Sequence, residues 1–566
     1  MCAWTCCSRA SATARTCCSA SRTPDAAPPG VPLSPHITRQ RRRQRRLLGW
    51  MTAVFILAAV AIVIAAPRAA LPTIESAKAL TLTLISRLVL PPAESALPAA
   101  PAAAGPELQP AAPAALPTAV PVRTRWEFGE LLPYVVQSGD TLPALAARFN
   151  QTTDAILKAN PALAVFQSTL PPGRAINIPA SYAPLLGSAF HMLPDSAVVY
   201  AEAPGNLAEQ LQNFDGWVAH RHEPAYSARD GSWDEARPSW DLINEVALQY
   251  SVNPRVLLAL LEYRSGLLRN ADPPAGAARN PLRLPPDTRT GMANQLEWAA
   301  AQLNDGYYAW RAGTQVELRL LDGSVQRIDP WQNAGTVALL QLFSQLEQPA
   351  EFEQSIGPQG FAATYQQLFG DAFAGALLLQ PANLRQPAFT LPFKPGVIWS
   401  LTGGPHPAWG SSLPWAAMDF APPALAGTCG QSNEPVTAMA PGVIVRNGYA
   451  TALLDTDGDN NEHTGWVIFY FHLRSDSIAA VGTRLAAGDA LGVASCEGGR
   501  STGTHVHVAR KYNGEWLAAD SAVAFDLGGW RAVSDGTAYK GRLSFALPAR
   551  EVRACQCVSD QNRVSW

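Results

Sequence analysis

The sequence predicts a multidomain protein with a transmembrane helix, a small α+β unit, a mostly α middle domain and a β-rich antiparallel C-terminal domain. Three observations predict this class. Twenty uncharged, mostly apolar residues lie near the N-terminus, and apolar residues recur at helical spacing through the middle of the chain. The last third consists of short β-branched and aromatic runs separated by Gly, Pro, Asn and Asp. A length of 566 residues allows several such domains.

The composition argues against two classes of protein, namely chains that are disordered throughout and proteins that bind nucleic acid. The chain is 48% hydrophobic and contains 16 Trp, 18 Phe and 13 Tyr, which excludes disorder throughout. A net charge of −2 gives no reason to expect nucleic acid as a partner. The 48 prolines predict long linkers.

The N-terminal part predicts a membrane topology. An arginine-rich run precedes the apolar residues 47–66, whose length suits one helix across a bilayer core of ~30 Å. We therefore expect a disordered basic cytoplasmic tail over 1–46, a signal anchor over 47–66 and a single-pass protein of the cell membrane. A cleaved signal peptide is the alternative, which would leave the protein secreted or in the cell wall. The Ala/Pro-rich residues 67–130 predict a semi-rigid linker.

Residues 133–180 predict the order strand, helix, helix, strand. YVVQSGDTL favours a strand followed by a helix start, which Ser138 or Asp140 could cap. TTDAILKANPAL favours a second helix capped by Thr152 or Thr153, and a Pro-Gly turn leads into the apolar strand RAINIP.

This segment resembles a LysM module. The residues that carry the resemblance are Tyr134, Val136, Gly139, Asp140, Thr141, Leu142, Ala146, Asn160, Pro161, Gly173 and Ile178. It implies binding to N-acetylglucosamine-containing glycan, in peptidoglycan or chitin. The glycan-binding residues that it implies are Gly139, Asp140, Thr141, Asn160 and Pro161. The alternative is a structural βααβ unit without a ligand.

Residues 181–375 predict a mostly helical domain, with a new helix beginning at Asn253-Pro254. The phrase LLALLEYRSG is similar to a helix of lytic transglycosylases and lysozyme-like muramidases, in which Glu262 would be the general acid. Tyr263 and Arg264 depart from that pattern because they separate the glutamate from Ser-Gly. A lysozyme-like domain with a purely structural role is therefore the favoured interpretation.

Residues 388–548 contain a candidate metal site. His505 and His507 are two residues apart in a predicted strand, so both side chains point to one side of the sheet. Ligation of a metal by one and proton transfer by the other would explain the pair. His406 and Asp419 lie in a second motif, and a His–Asp–His set leaves the fourth position of tetrahedral zinc open for water.

These motifs resemble the lysostaphin-type zinc metallopeptidases, and the long spacing from His406 to Asp419 is closest to the β-lytic or staphylolytic subgroup. The resemblance implies one Zn²⁺ held by His406, Asp419 and His507. It implies active-site roles for His505 and for His472, and hydrolysis of peptide bonds in peptidoglycan cross-links. The alternative is an inactive wall-binding scaffold or an activator of other wall hydrolases.

Two further features leave alternatives open. Asp455, Asp457 and Asp459 alternate as at the start of an EF-hand loop. Gly stands at position four of such a loop rather than six and no Glu stands at position twelve, so an Asx-rich turn competes with Ca²⁺. The last four cysteines allow three full disulfide pairings outside the cytoplasm, among which the sequence does not choose.

Overall fold

The computed structural model describes residues 126–181, 188–201, 211, 213–223, 236–285, 289–423 and 425–566. The segments 1–46 and 47–66 and most of 67–130 lie outside these residues. Among the helices in the described ranges, none combines the length and the apolar character that a bilayer crossing requires. The longest of them, Met292–Ala312, contains two acidic residues and an arginine. The predicted fold class is therefore wrong in its transmembrane helix.

The first compact unit lies between residues 126 and 181. Its elements are β1 (Leu131–Val135), α1 (Leu142–Arg148), α2 (Thr153–Ala159), a 3₁₀ turn (Pro161–Val165) and β2 (Ala175–Pro179). The two strands pair antiparallel. The hydroxyl of Thr141, not Ser138 or Asp140, caps α1, and Thr152 caps α2. The βααβ order is as the sequence predicts.

The next part is mostly helical. Its helices are α3 (Asp195–Val198), α4 (Trp217–His220), α5 (Ser239–Tyr250), α6 (Pro254–Ser265), α7 (Met292–Ala312), α8 (Ala334–Leu346), α9 (Pro349–Ile356) and α10 (Phe361–Phe369). Two short hairpins accompany them: β3 (His222–Glu223) with β4 (Arg237–Pro238), and β5 (Glu317–Arg319) with β6 (Val325–Arg327). Asn253 caps α6, as the Asn-Pro pair predicts. Helices α7 and α8 approach closely at Gly306, where a Cβ would lie 2.5 Å from the Cβ of Gln341.

The C-terminal domain is β-rich. Its strands are β7 (Trp399–His406), β8 (Ala417–Ala421), β9 (Pro435–Thr437), β10 (Gly442–Gly448), β11 (Thr451–Asp455), β12 (Trp466–Phe471), β13 (Arg484–Leu485), β14 (Ala490–Val493), β15 (Val506–Tyr512), β16 (Glu515–Trp516), β17 (Asp526–Leu527), β18 (Trp530–Ser534), β19 (Gly541–Phe545), β20 (Arg550–Arg553) and β21 (Arg563–Val564). The main sheet has the order β13-β10-β11-β12-β15-β8-β7-β21, with β16 paired to β15. Strands β17 to β20 form a second antiparallel sheet.

The main sheet separates two hydrophobic cores. Alternate residues of β15 point to opposite faces, so Val506 and Val508 enter the core of the C-terminal domain. The other face carries His507 and Ala509, and Ala509 packs in the same apolar cluster as helices α5 to α8. The helical part therefore packs against the sheet face that bears the histidine.

A buried ion pair joins the first unit to the helical part. Arg148 Nη1 lies 2.7 Å from Asp140 Oδ1, and both side chains are 1% exposed. The guanidinium also donates to the carbonyl of Trp310 at the end of α7, through Nη2 at 2.8 Å. Asp140 further accepts hydrogen bonds from Tyr134 Oη and from the backbone N–H of Gln137. The pair thus holds both the loop after β1 and the contact with α7.

Arg148→Met is expected to lower the free energy of unfolding by about 3–5 kcal/mol, because it leaves the Asp140 carboxylate buried without its cation. Asp140→Asn combined with Arg148→Met should cost less than Arg148→Met alone. Equilibrium denaturation followed by tryptophan fluorescence measures both changes. Arg174→Met, at an exposed position, is the control and should stay within about 0.5 kcal/mol of the wild type. A loss at Arg148 no larger than at Arg174 would contradict this role.

Candidate metal centre

Three strands bring together three of the residues singled out in the sequence. His406 is the last residue of β7, Asp419 is central in β8 and His507 is the second residue of β15. The antiparallel register sets Asp419 opposite His507 on one side and opposite Gly403 on the other. The exposed fractions of His406, Asp419 and His507 are 2%, 7% and 6%. The cluster is therefore buried and is fixed by sheet register.

The ligand atoms of this cluster have the spacing that a tetrahedral ion requires. His406 Nε2 lies 2.9 Å from His507 Nδ1, and Asp419 Oδ1 lies 3.2 and 3.3 Å from these two nitrogens. Ligand atoms bound at zinc distances in a tetrahedron are roughly 3.3 Å apart. The three atoms can thus share one ion.

The hydrogen bonds of the two rings leave lone pairs pointing at one another. His406 Nδ1 lies 2.8 Å from the carbonyl oxygen of Gly404, and His507 Nε2 lies 3.0 Å from that of Ala408. A carbonyl only accepts, so each of these nitrogens carries the proton and the other nitrogen of a neutral ring has a lone pair. Among the described residues, Asp419 Oδ1 is buried without a hydrogen-bond donor. Converging lone pairs repel unless a cation lies between them, so the site fits a metal ion.

A glycine on the neighbouring strand makes room for the Asp419 carboxylate. A Cβ at Gly403 would lie 2.3 Å from Asp419 Oδ2, so only glycine leaves room for the carboxylate there. The lack of a side chain at Gly403 is therefore as necessary for the site as the ligands themselves.

Two further histidines flank the cluster. His505 Nε2 lies 3.7 Å from Asp419 Oδ1, and the ring centroids of His472 and His505 are 4.5 Å apart. The Nδ1 atoms donate to backbone carbonyls, His505 to Gly503 and His472 to Glu497, each at 2.7 Å. Burial lowers the pKa of His472 to about 3, so that ring is neutral at pH 7. Both rings therefore leave Nε2 available beside the cluster.

Two aromatic side chains complete the site. The ring of Tyr539 stacks on His406 with centroids 4.2 Å apart, and its backbone hydrogen-bonds to Gly404 and Pro405. Trp409 packs on Phe471, one residue before His472. Tyr539 lies more than 100 residues after His406, so only the tertiary structure could reveal it. The carbonyl of Ala408 could not be found either, because backbone acceptors carry no sequence signature.

The helical part and one disulfide hold the loops around the cluster. The backbone N–H of Leu413, between β7 and β8, donates to Asp305 of α7 at 2.8 Å. A disulfide joins Cys429 to Cys496, which links the loop after β8 to the loop before His505. Cys555 and Cys557 form the second disulfide in the described chain. This is one of the three pairings that the sequence leaves open.

The acidic turn after β11 has internal hydrogen bonds. Carboxylate oxygens of Asp455, Asp457 and Asp459 can lie within 4.8 Å of one another. Asp455 accepts from the backbone N–H groups of Asp457 and Asn460, and Asp457 accepts from that of Asp459. These bonds are those of the Asx turn that competes with calcium as an explanation. Calcium remains a prediction.

The remaining predicted residues lie away from the cluster. Gly139 and Asp140 are buried, and Thr141 is the cap of α1. Asn160 hydrogen-bonds to Asn177 and to the carbonyl of Ile156 within the first unit, and the adjacent Pro161 is exposed.

Glu262 has a structural contact. Its carboxylate accepts from the backbone N–H groups of Leu268 and Arg269 just after α6, at 3.0 and 3.3 Å. Glu262 thus caps the turn after α6, and its role in the domain stays a prediction.

Comparison with protein families gives three matches along the chain. The LysM domain model matches residues 134–179, the model "LasA, N-terminal domain" matches residues 191–383, and the model of peptidase family M23 matches residues 425–519. The M23 match contains His472, His505 and His507, whereas His406 and Asp419 precede it.

Individual relatives agree with these matches. Protease LasA of Pseudomonas aeruginosa strain UCBPP-PA14 is 30% identical over 300 residues, which cover 48% of this chain and 66% of that protein. Beta-lytic metalloendopeptidase of Lysobacter enzymogenes is 29% identical over 161 residues, which cover 27% of this chain and 83% of that protein. The chain thus spans just under two thirds of the length of the LasA protein.

Among solved structures, the deep-sea M23 metalloprotease Pseudoalterin is 24% identical to this chain. The match covers 30% of this chain and 96% of that one, with a TM-score of 0.25.

The LysM resemblance and the metallopeptidase resemblance are confirmed by the family matches, whereas the residues expected to form a lysozyme-like domain match the LasA N-terminal domain. A LysM domain, a LasA N-terminal domain and a peptidase domain follow one another along the chain. The C-terminal domain contains the match to peptidase family M23, and the chain is similar in sequence to LasA and to a β-lytic metalloendopeptidase.

Proposed function

We propose that this protein is a zinc metalloendopeptidase that hydrolyses peptide bonds in peptidoglycan cross-links. The observation that carries the proposal is the buried cluster of His406, Asp419 and His507, in which three lone pairs converge. The M23 match and the relatives named as a protease and a metalloendopeptidase support this reaction class. The LysM match supports a glycan-containing wall polymer as the substrate.

The proposed ligands of one Zn²⁺ per chain are His406 Nε2, Asp419 Oδ1 and His507 Nδ1. Imidazole nitrogen and carboxylate oxygen are donors that zinc accepts, and three protein ligands are typical of a catalytic site. When bound, zinc supplies Lewis acidity for a water molecule and for the scissile carbonyl. Gly404 and Ala408 orient the two imidazoles through their carbonyls.

His505 and His472 are the proposed catalytic residues. Each ring leaves Nε2 free beside the cluster because its Nδ1 is committed to a backbone carbonyl. A neutral imidazole in this position accepts a proton from the attacking water and can return it to the leaving amine. Once protonated, the same nitrogen donates a hydrogen bond to the oxyanion that forms at the scissile carbonyl.

We propose that the LysM domain attaches the enzyme to the glycan strands of the same polymer. Attachment raises the concentration of the peptidase at its substrate without any new contact at the catalytic cluster. The disulfide between Cys429 and Cys496 favours an oxidising, extracytoplasmic place of action.

His507→Ala is expected to abolish release of new amino groups from purified peptidoglycan, because it removes one of three proposed zinc ligands. Free amines are counted after incubation with the full chain, with and without a zinc chelator, and bound zinc is measured by atomic emission. His222→Ala is the matched control, since His222 is exposed on β3 and remote from the cluster. Chelator-sensitive release in the wild type and in the control supports the proposal.

Equal release by His507→Ala and the wild type would refute the zinc assignment. The absence of new amines with all proteins, despite pelleting of the chain with the wall, would favour the inactive scaffold.

His505→Gln is expected to keep bound zinc but to reduce kcat by roughly 10²–10⁴-fold, the usual contribution of a positioned acid or base. The test combines zinc analysis with initial rates of amine release, so that loss of the ion and loss of proton transfer are told apart. A variant that loses zinc as completely as His507→Ala would instead make His505 a ligand. A variant with wild-type kcat would remove it from the mechanism.

A further inference from the structure

The loop of the LysM domain that the sequence assigns to glycan is covered by the chain itself. Gly139 has a φ of +77°, and a Cβ there would lie 2.4 Å from Nη1 of Arg311. Arg311 is held in place by Asp195 and Glu515, each at 3.0 Å. The backbone of Gly139 thus rests on a fixed guanidinium, which closes one side of the loop.

A second cover comes from residues 380–384, which we call the strap. The strap lies between the helical part and the C-terminal domain in sequence. Ser138 Oγ accepts from the backbone N–H of Gln380 at 2.7 Å and donates to the carbonyl of the same residue at 3.2 Å. The loop after β1 therefore binds both backbone polar groups of Gln380.

The loop before β2 binds the rest of the strap. Thr169 Oγ1 donates to the carbonyl of Pro381 at 2.6 Å and accepts from the N–H of Leu384 at 2.9 Å. The carbonyl of Thr169 accepts from the N–H of Asn383 at 2.8 Å. Ser168 Oγ donates to the carbonyl of Leu384 at 2.8 Å. Two loops of the LysM domain, 137–141 and 166–170, thus clasp the strap mainly through its amide groups.

The polar groups of this groove could bind an N-acetylated sugar as well as a peptide. Its hydroxyls and its carbonyl pair with amide N–H and C=O groups, and the acetamido group of N-acetylglucosamine presents the same two groups. Gly139, Thr141, Thr169 and Gln380 also line a cavity of about 450 Å³ that is open beside the strap. The polar atoms that a sugar would need are nevertheless already satisfied by the strap.

We propose that the strap is an internal competitor of N-acetylated glycan for the groove between loops 137–141 and 166–170. This inference rests on the proposed attachment of the LysM domain to glycan. Both ends of the strap are anchored, since Gln380 and Leu384 are each 5% exposed and Leu384 packs in the core of the C-terminal domain. A tethered competitor acts at a high effective concentration, so free glycan binds only in proportion to the fraction of open groove.

The test compares the binding of chitotetraose, a soluble oligomer of N-acetylglucosamine, to the full chain and two variants by titration calorimetry. Asn383 has a φ of +53° and donates its N–H to Thr169. Asn383→Pro removes that N–H and fixes φ near −65°, so it unseats the strap. Asn383→Gly keeps the N–H and tolerates positive φ, and it loses only the exposed side-chain oxygen that accepts from the Gln167 N–H at 3.2 Å, so it is the matched control. We expect at least a tenfold tighter Kd for Asn383→Pro and no change for Asn383→Gly.

A second measurement needs no variant. Hydrogen exchange at the amides of Asn383 and Leu384 in the wild-type chain should accelerate when chitotetraose is added, because the sugar displaces the strap. Equal affinity in all three proteins, or bound sugar with unchanged exchange at these amides, would overturn the competition. Failure of every protein to bind would overturn it together with glycan attachment. Release of amines from peptidoglycan would still report the peptidase separately.

Discussion

Three lone pairs meet in a buried space, and the strands of the C-terminal domain hold the atoms that carry them in place. His406 and His507 donate their only ring protons to the carbonyls of Gly404 and Ala408, and Asp419 Oδ1 is buried beside them without a hydrogen-bond donor among the described residues. Without a metal the three lone pairs still lie close together, because the register of β7, β8 and β15 fixes the positions of the three residues. A cation relieves it, which makes affinity for a metal a property of the backbone as much as of the ligands.

The main sheet packs against the core of its own domain on one face and against the helical part on the other. One face is filled by the core of its own domain, while the face with His507 continues through Ala509 into the apolar cluster of the helical part. Tyr308 of α7 accepts from the backbone N–H of Trp516, and Ser251 after α5 donates to the carbonyl of Gly514. The helices therefore support the strands that bear the histidines, and the LasA N-terminal domain is part of the same packing unit as the peptidase sheet.

Local patterns in the sequence predict the parts of this structure that depend on local rules. The two-residue period of a strand is enough to predict that His505 and His507 share a side, and Asn253-Pro254 is enough to predict the start of α6. The predicted N-cap of α1, Ser138 or Asp140, is wrong. Asp140 forms an ion pair with Arg148, and Thr141 is the N-cap residue. The stacking of Tyr539 on His406 and the grip of Thr169 on the strap join residues more than 100 positions apart. No local pattern specifies such pairs, because they arise only when separate elements pack.

The LysM domain is not independent of the rest of the chain, because its side chains and backbone are hydrogen-bonded to the helical part and to the strap. A unit of about fifty residues buries only a small core, which here is built around Tyr134, Leu145 and Ile178. Here the Arg148 guanidinium donates a hydrogen bond to the carbonyl of Trp310, and the indole N–H of Trp331 donates one to the carbonyl of Pro133. The Thr169 hydroxyl donates one to the strap. These contacts couple the stability of the LysM domain to that of the helical part. A destabilising change in the helical part is therefore expected to weaken the LysM domain as well, even when that domain keeps its own residues.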